Sequence, residues 1–124
     1  MNTTKRLWIL MTVVLLGALT APGPALGQSS EEGVANLYSD SFQGKKMASG
    51  EVYDKNGLTA SHKKHPFGTK VKVTDVESGK SVVVTVTDRM AQKNPAVIDV
   101  SRRAAEKLGF LKSGKARVKV DVVQ

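Results

Sequence analysis

KVKVTDVESGKSVVVTVTDR, residues Lys70 to Arg89, is the stretch that decides the fold. Val71 and Val73 alternate with polar residues, Glu77-Ser78-Gly79-Lys80 has turn chemistry, and Val82 to Thr87 is almost wholly β-branched. Together they predict a hairpin with one heavily buried strand. Full burial of each valine contributes on the order of 1.5 to 3 kcal/mol, so this hairpin forms much of the core. Downstream, Val97, Ile98 and Val100 make a short strand around Asp99. Ser101 is placed to cap a helix over Arg102 to Leu108, in which Ala104, Ala105 and Leu108 share one face, and Gly109 stops it. Ala116 to Val122 closes the chain with Val118, Val120 and Val122 alternating against Lys119 and Asp121. Upstream, Gly33 to Tyr38 reads as a first strand, and Ser39 to Gly57 as loop with room for a turn of helix. The pattern is mainly β with one firm helix. A small closed or nearly closed barrel suits it, because closure removes exposed strand edges without extra chain.

The first 27 residues stand apart from this domain. Lys5 and Arg6 form a basic head, Leu7 to Ala21 an apolar run, and Ala25-Leu26-Gly27 a small-residue end, the plan of a secretory signal cleaved before Gln28. The run is shorter than the roughly 20 residues that span a bilayer, and Pro22-Gly23-Pro24 interrupts it, which argues against a retained anchor. The chain has no cysteine, so the exported protein is expected to be neither a lipoprotein nor disulfide-stapled. Gln28 to Glu32 reads as a polar, disordered leader, and 33–124 as one small domain. The formal charge is +8, and Lys5 and Arg6 lie in the signal, so the mature part keeps a net +6. Such a surface attracts polyanions. Export and few aromatics speak against nucleic acid and for an anionic wall polymer. No metal cluster or cofactor motif is evident, and chain length and charge are silent on oligomeric state.

Candidate chemistry concentrates between Glu51 and Ser101. The candidates there are the histidine His62 and the carboxylates Glu51, Asp88 and Asp99, which lie among glycines, prolines and strand-like segments whose ends can aim them into a groove. Asp88 follows the most buried strand; it either acts as an acid or pairs with Arg89 and caps a turn. Tyr38 offers an aromatic face for a sugar ring or for core packing. Lys45-Lys46 and Lys63-Lys64 are two basic pairs flanking the groove in sequence, either solvated or holding carboxylates of a ligand.

Taken in order, Gly33-Val34-Ala35, Tyr38, Phe42, Gly44, Ala48-Ser49-Gly50-Glu51, Thr59-Ala60-Ser61-His62, Pro66-Phe67-Gly68-Thr69, Asp88-Arg89, Ile98-Asp99-Val100-Ser101 and Leu108-Gly109 resemble the rare lipoprotein A family over nearly the whole mature chain. The resemblance implies a six-stranded double-psi β-barrel, a fold shared with barwin, expansins and some endoglucanases. It also implies an endolytic lytic transglycosylase acting on peptidoglycan without a cofactor. By family position Asp88 is the acid, with His62 and Glu51 beside it in a catalytic groove, and Tyr38, Lys63 and Asp99 are expected to bind substrate. Asp99 also has a structural reading, bonding backbone inside the barrel, although related endoglucanase barrels use an aspartate near this place for acid chemistry. His65 is read as structural or exposed.

The chain departs from the family pattern at Leu37, Ser39, Gln43 and Met47, and Met90-Ala91-Gln92-Lys93-Asn94-Pro95 replaces the usual glycine-proline pair after Asp88-Arg89. That loop is expected to rim the groove. No wall-binding repeat domain is expected beyond Gln124, and septal targeting is not assumed. A noncatalytic, expansin-like wall-binding module therefore stands as the alternative. A protease-inhibiting barrel has only the versatility of the fold in its favour.

Overall fold

The structure is a computed structural model that describes residues 30–124. Residues 1–29, on which the expected signal sequence falls together with Gln28 and Ser29, lie outside the described residues. Six strands close into one barrel in the order β1-β5-β2-β4-β3-β6, where β1 is Ser30–Leu37, β2 Thr59–His62, β3 Lys70–Asp75, β4 Ser81–Arg89, β5 Ile98–Val100 and β6 Lys115–Val122. A 3-10 turn, Asp40–Phe42, and one helix, α1, Arg102–Leu108, complete it. The double-psi β-barrel class is borne out.

The hairpin read from the valines is β3 and β4. Val71 pairs with Val84 and Val73 with Val82, and all four point into the core, while Lys70, Lys72 and Val83 face outward. The turn is set by Asp75, whose Oδ1 accepts the backbone N–H groups of Glu77 and Ser78 at 2.9 and 3.1 Å. β6 pairs antiparallel with both β3 and β1, and Val118 and Val120 join the same core. The two parallel pairs, β1 with β5 and β2 with β4, place strands distant in sequence side by side. Helix α1 begins and ends as expected. Ser101 Oγ accepts the Ala104 N–H and donates to the Gly57 carbonyl at 2.7 Å, and Gly109 takes a left-handed φ of 88° at the stop.

Two boundaries differ from the sequence reading. β1 starts at Ser30, so Ser30 to Glu32 are strand rather than disordered leader: they pair with Asp121, Val120 and Lys119 of β6. β2 was not foreseen. Its four residues lack an apolar alternation and form a strand because β5 and β4 flank them on both sides. Close packing at the mouth of β5 explains Gly33: a Cβ there would lie 2.5 Å from Val97 Cγ1.

Candidate active site

Three adjacent strands build the site. Asp99 of β5 is paired laterally with Ser61 of β2, and Ser61 with Asp88 of β4, so two carboxyl residues flank one small residue in a single row across the sheet. Neighbouring strands are about 4.8 Å apart, which sets the two aspartate backbones roughly 10 Å from each other with only Ser61 between them. Residues paired in this way present their side chains to the same face. That face opens into a groove of about 290 Å³, lined by both aspartates and Ser61 together with Tyr38, Phe42, Lys46, Arg89 and the 90–95 loop at Met90, Ala91 and Asn94. The volume is near the lower limit of about 300 Å³ typical of ligand pockets.

The two aspartates live in unlike surroundings. Asp88 Oδ2 accepts the Tyr38 hydroxyl at 2.5 Å, and its Oδ1 accepts the backbone N–H groups of Ala48 and Arg89, each at 2.9 Å. Every one of these donors suits a carboxylate acceptor. The Ala48 contact depends on the 44–53 loop, which folds over the end of β4 through Ser49 N–H to the Thr87 carbonyl and the Thr87 hydroxyl to Met47 Sδ. Tyr38 is fixed by ring contacts with Tyr53 and Phe42 at 4.5 and 5.3 Å between centroids. Burial, reinforced by the bond to Asp88, pushes the Tyr38 hydroxyl well above the usual phenol range, so it stays a donor.

Asp99, by contrast, has a buried Oδ1 with no hydrogen-bond partner among the described residues. Burial first, and the charge of Asp88 second, raise its carboxyl from 3.8 to about 6. The groove thus holds a pinned carboxylate beside a carboxyl that takes up its proton at about 6. Unequal pairs of this kind are how one site supplies both an acid and a negative charge.

The remaining expected site residues fall elsewhere. His62 is sealed from solvent and pairs with Arg89, one position beyond the Ser61–Asp88 pair, which turns its side chain to the opposite face. The expected His62–Asp88 pair across the groove is not formed. His62 Nδ1 instead accepts the backbone N–H groups of Lys64 and His65 at 3.1 and 3.2 Å, Nε2 donates to Glu31 at 2.9 Å, and the ring stacks on His65 at 4.2 Å. Glu51 is an exposed residue on the outer 46–52 turn and does not line the groove. Lys63 is also outside: its carbonyl accepts the Gln92 side chain at 2.9 Å, and Lys46 from the other basic pair takes the groove position. Tyr38 and Asp99 are in the groove as expected, and the 90–95 loop does rim it. Ser61, Phe42 and Arg89 were not foreseen as lining residues. The alternation after Ser61 is the signal that could have separated it from His62.

Glu31, His62 and His65 bring metal-ligating atoms within 4.8 Å of one another. The hydrogen bonds argue against that use. With Nδ1 accepting two N–H groups, the proton of neutral His62 must sit on Nε2, which leaves no lone pair facing Glu31 for a cation. The cluster works as a brace: the Arg89 guanidinium donates to the carbonyls of His62 and His65 at 3.1 and 2.8 Å and lies 4.4 Å over the Phe67 ring. It holds the loop after β2 against the groove wall.

A family model described as lytic transglycolase matches residues 30–120. The endolytic peptidoglycan transglycosylase RlpA of Neisseria meningitidis serogroup A is 40% identical over 107 residues, covering 86% of this chain and 45% of that protein. The protein of the same name from Pseudomonas aeruginosa strain UCBPP-PA14 is 47% identical over 89 residues, covering 72% of this chain and 26% of that one. The chain spans less than half the length of these relatives. Among solved structures, the apo expansin of Clavibacter michiganensis superposes with a TM-score of 0.62 at 22% identity, over 77% of this chain and 51% of that one. That likeness concerns the fold.

Proposed function

This chain belongs to the lytic transglycolase family, and from that premise we propose that it is an exported endolytic lytic transglycosylase, cleaving the bond between N-acetylmuramic acid and N-acetylglucosamine in peptidoglycan strands and leaving a 1,6-anhydro end. The observation that carries the reading is the unequal aspartate pair, Asp88 and Asp99, in one groove beside the Tyr38 and Phe42 rings. The names of the Neisseria and Pseudomonas relatives support it. Export rests on the basic head, apolar run and small-residue end of the first 27 residues.

The chemistry needs little more than this groove offers. A proton must reach the glycosidic oxygen as it leaves, positive charge builds on the muramyl ring, and the muramyl 6-hydroxyl then closes on C1 and gives up its own proton. One carboxyl group can do both transfers, and a neighbouring carboxylate stabilises the charged ring between them. Phenol and phenyl faces at Tyr38 and Phe42 complement the apolar side of a pyranose, and Lys46 meets its carboxylate substituents.

A noncatalytic glycan-binding module is the second reading, and one observation favours it: three donors pin Asp88, which suits a fixed acceptor better than a proton shuttle. Incubating the protein with purified sacculi and analysing soluble products by mass spectrometry separates the two. Release of 1,6-anhydro muropeptides supports the enzyme; sacculus binding without such products supports the module and removes the transglycosylase reading.

A further inference from the structure

We propose that Asp99, rather than Asp88, is the residue that carries the proton in both halves of the reaction, and that Asp88 is the fixed carboxylate that faces the charged sugar ring. The inference rests on the transglycosylase reading and deepens it.

The geometry separates the two roles. Asp88 has both oxygens occupied by donors on three different backbone segments: Tyr38 after β1, Ala48 in the 44–53 loop, and its own neighbour Arg89. A proton placed on Oδ1 would displace one of its two N–H donors, and one on Oδ2 would compete with the Tyr38 hydroxyl. Asp99 Oδ1 is buried, has no partner among the described residues, and belongs to a side chain that lines the groove. A protonated carboxyl satisfies such a site at lower cost than a charged one. The strands beside β5 add no cation: Asn36 of β1 and Ser61 of β2 are its lateral partners, both neutral. From β4 it faces Asp88, whose charge raises its proton affinity, while Lys46 lines the same groove as a cation, the Arg89 guanidinium is held on the His62 and His65 carbonyls, and Tyr38 stays a neutral phenol.

The steps balance without water or a co-reactant. The Asp99 carboxyl gives its proton to the leaving O4 of N-acetylglucosamine as the C1–O4 bond breaks, and the electron pair of that bond stays on O4. The muramyl O6 then bonds to C1, and its proton passes to the Asp99 carboxylate. The acid is restored as product forms. Asp88 gains and loses nothing.

The test compares Asp99→Asn, Asp88→Asn and wild type on two substrates: natural glycan strands, and a muramyl glycoside with a nitrophenol leaving group that departs without a proton. General acid catalysis is worth roughly 10²–10⁴-fold, so Asp99→Asn is expected to lose about that much on natural strands and at least tenfold less on the nitrophenyl substrate. Asp88→Asn should lose similar factors on both. In wild type kcat/KM falls as pH rises through about 6, and Asp88→Asn moves that limb to lower pH. A merely structural Asp99 would depress both substrates alike. An active wild type with undiminished Asp99→Asn, or with equal losses on the two substrates, overturns the role of Asp99 alone. A wild type that cleaves neither overturns the transglycosylase reading as well.

Discussion

Replacing Asp99 by Asn changes how folding stability depends on pH, in a direction that the groove dictates. The Asp99 carboxyl is raised from 3.8 to about 6 by burial and by Asp88. Below the lower value the folded and unfolded chains are both protonated at this residue. Between the two the unfolded chain ionises and the folded chain does not, so stability falls as pH rises and the loss is complete above about 6. At about 1.4 kcal/mol per pH unit that gap sets an upper bound of roughly 3 kcal/mol. Asp99 lines an open groove and keeps partial contact with solvent, which screens the effect to about 1–2 kcal/mol. Asparagine fills the same space without a charge. Urea denaturation followed by circular dichroism, at about pH 3.5 and about pH 7.5, is expected to show the stability of Asp99→Asn rising relative to wild type by that amount across the interval. For a domain of this size each kcal/mol appears as about 4–8 °C in Tm. Wild type and variant curves that run parallel across the interval would refute the reasoning.

Three further outcomes follow from the packing and the hydrogen bonds. Gly33→Ala places a Cβ 2.5 Å from Val97 Cγ1 and should cost about 1–3 kcal/mol in urea denaturation, most of it recovered in the Gly33→Ala, Val97→Ala double variant. His62→Gln breaks the brace behind the groove and should cost about 2–4 kcal/mol while the pH limb of kcat/KM stays in place; a displaced limb in a stable variant would return His62 to the chemistry. Tyr38→Phe removes the donor to Asp88 Oδ2 and should lower kcat about tenfold or more with little change in fold, whereas an unchanged rate would show that the hydroxyl does not orient Asp88.

Much of the barrel was legible because its core strands carry their own pattern. Alternation in Lys70 to Thr74, the β-branched run Val82 to Thr87, and the Ser101 and Gly109 boundaries of α1 all report local physics. β2 was hidden because pairing on both edges, rather than its own side chains, makes it a strand. The same cause limits the site. Asp88, Asp99 and Tyr38 were visible as chemistry, but the row Asp99–Ser61–Asp88 exists only once β5, β2 and β4 are known to be neighbours. His62 was drawn toward Asp88 by family position, and the parallel register instead matches it with Arg89 and turns it behind the wall. Lys46 and Lys63 are alike in sequence; the folding of the 44–53 loop over β4 brings only the first to the groove.

The account depends most on the Asp99 carboxyl holding its proton more tightly than an ordinary aspartate because it is buried beside Asp88. A carbon-13 NMR titration of the side-chain carboxyl of Asp99, in wild type and in Asp88→Asn, addresses that directly. Titration near 6 in wild type, moving down once the Asp88 charge is gone, is the predicted result. Titration near the ordinary aspartate value of 3.8, or a wild-type value that Asp88→Asn leaves in place, would contradict it.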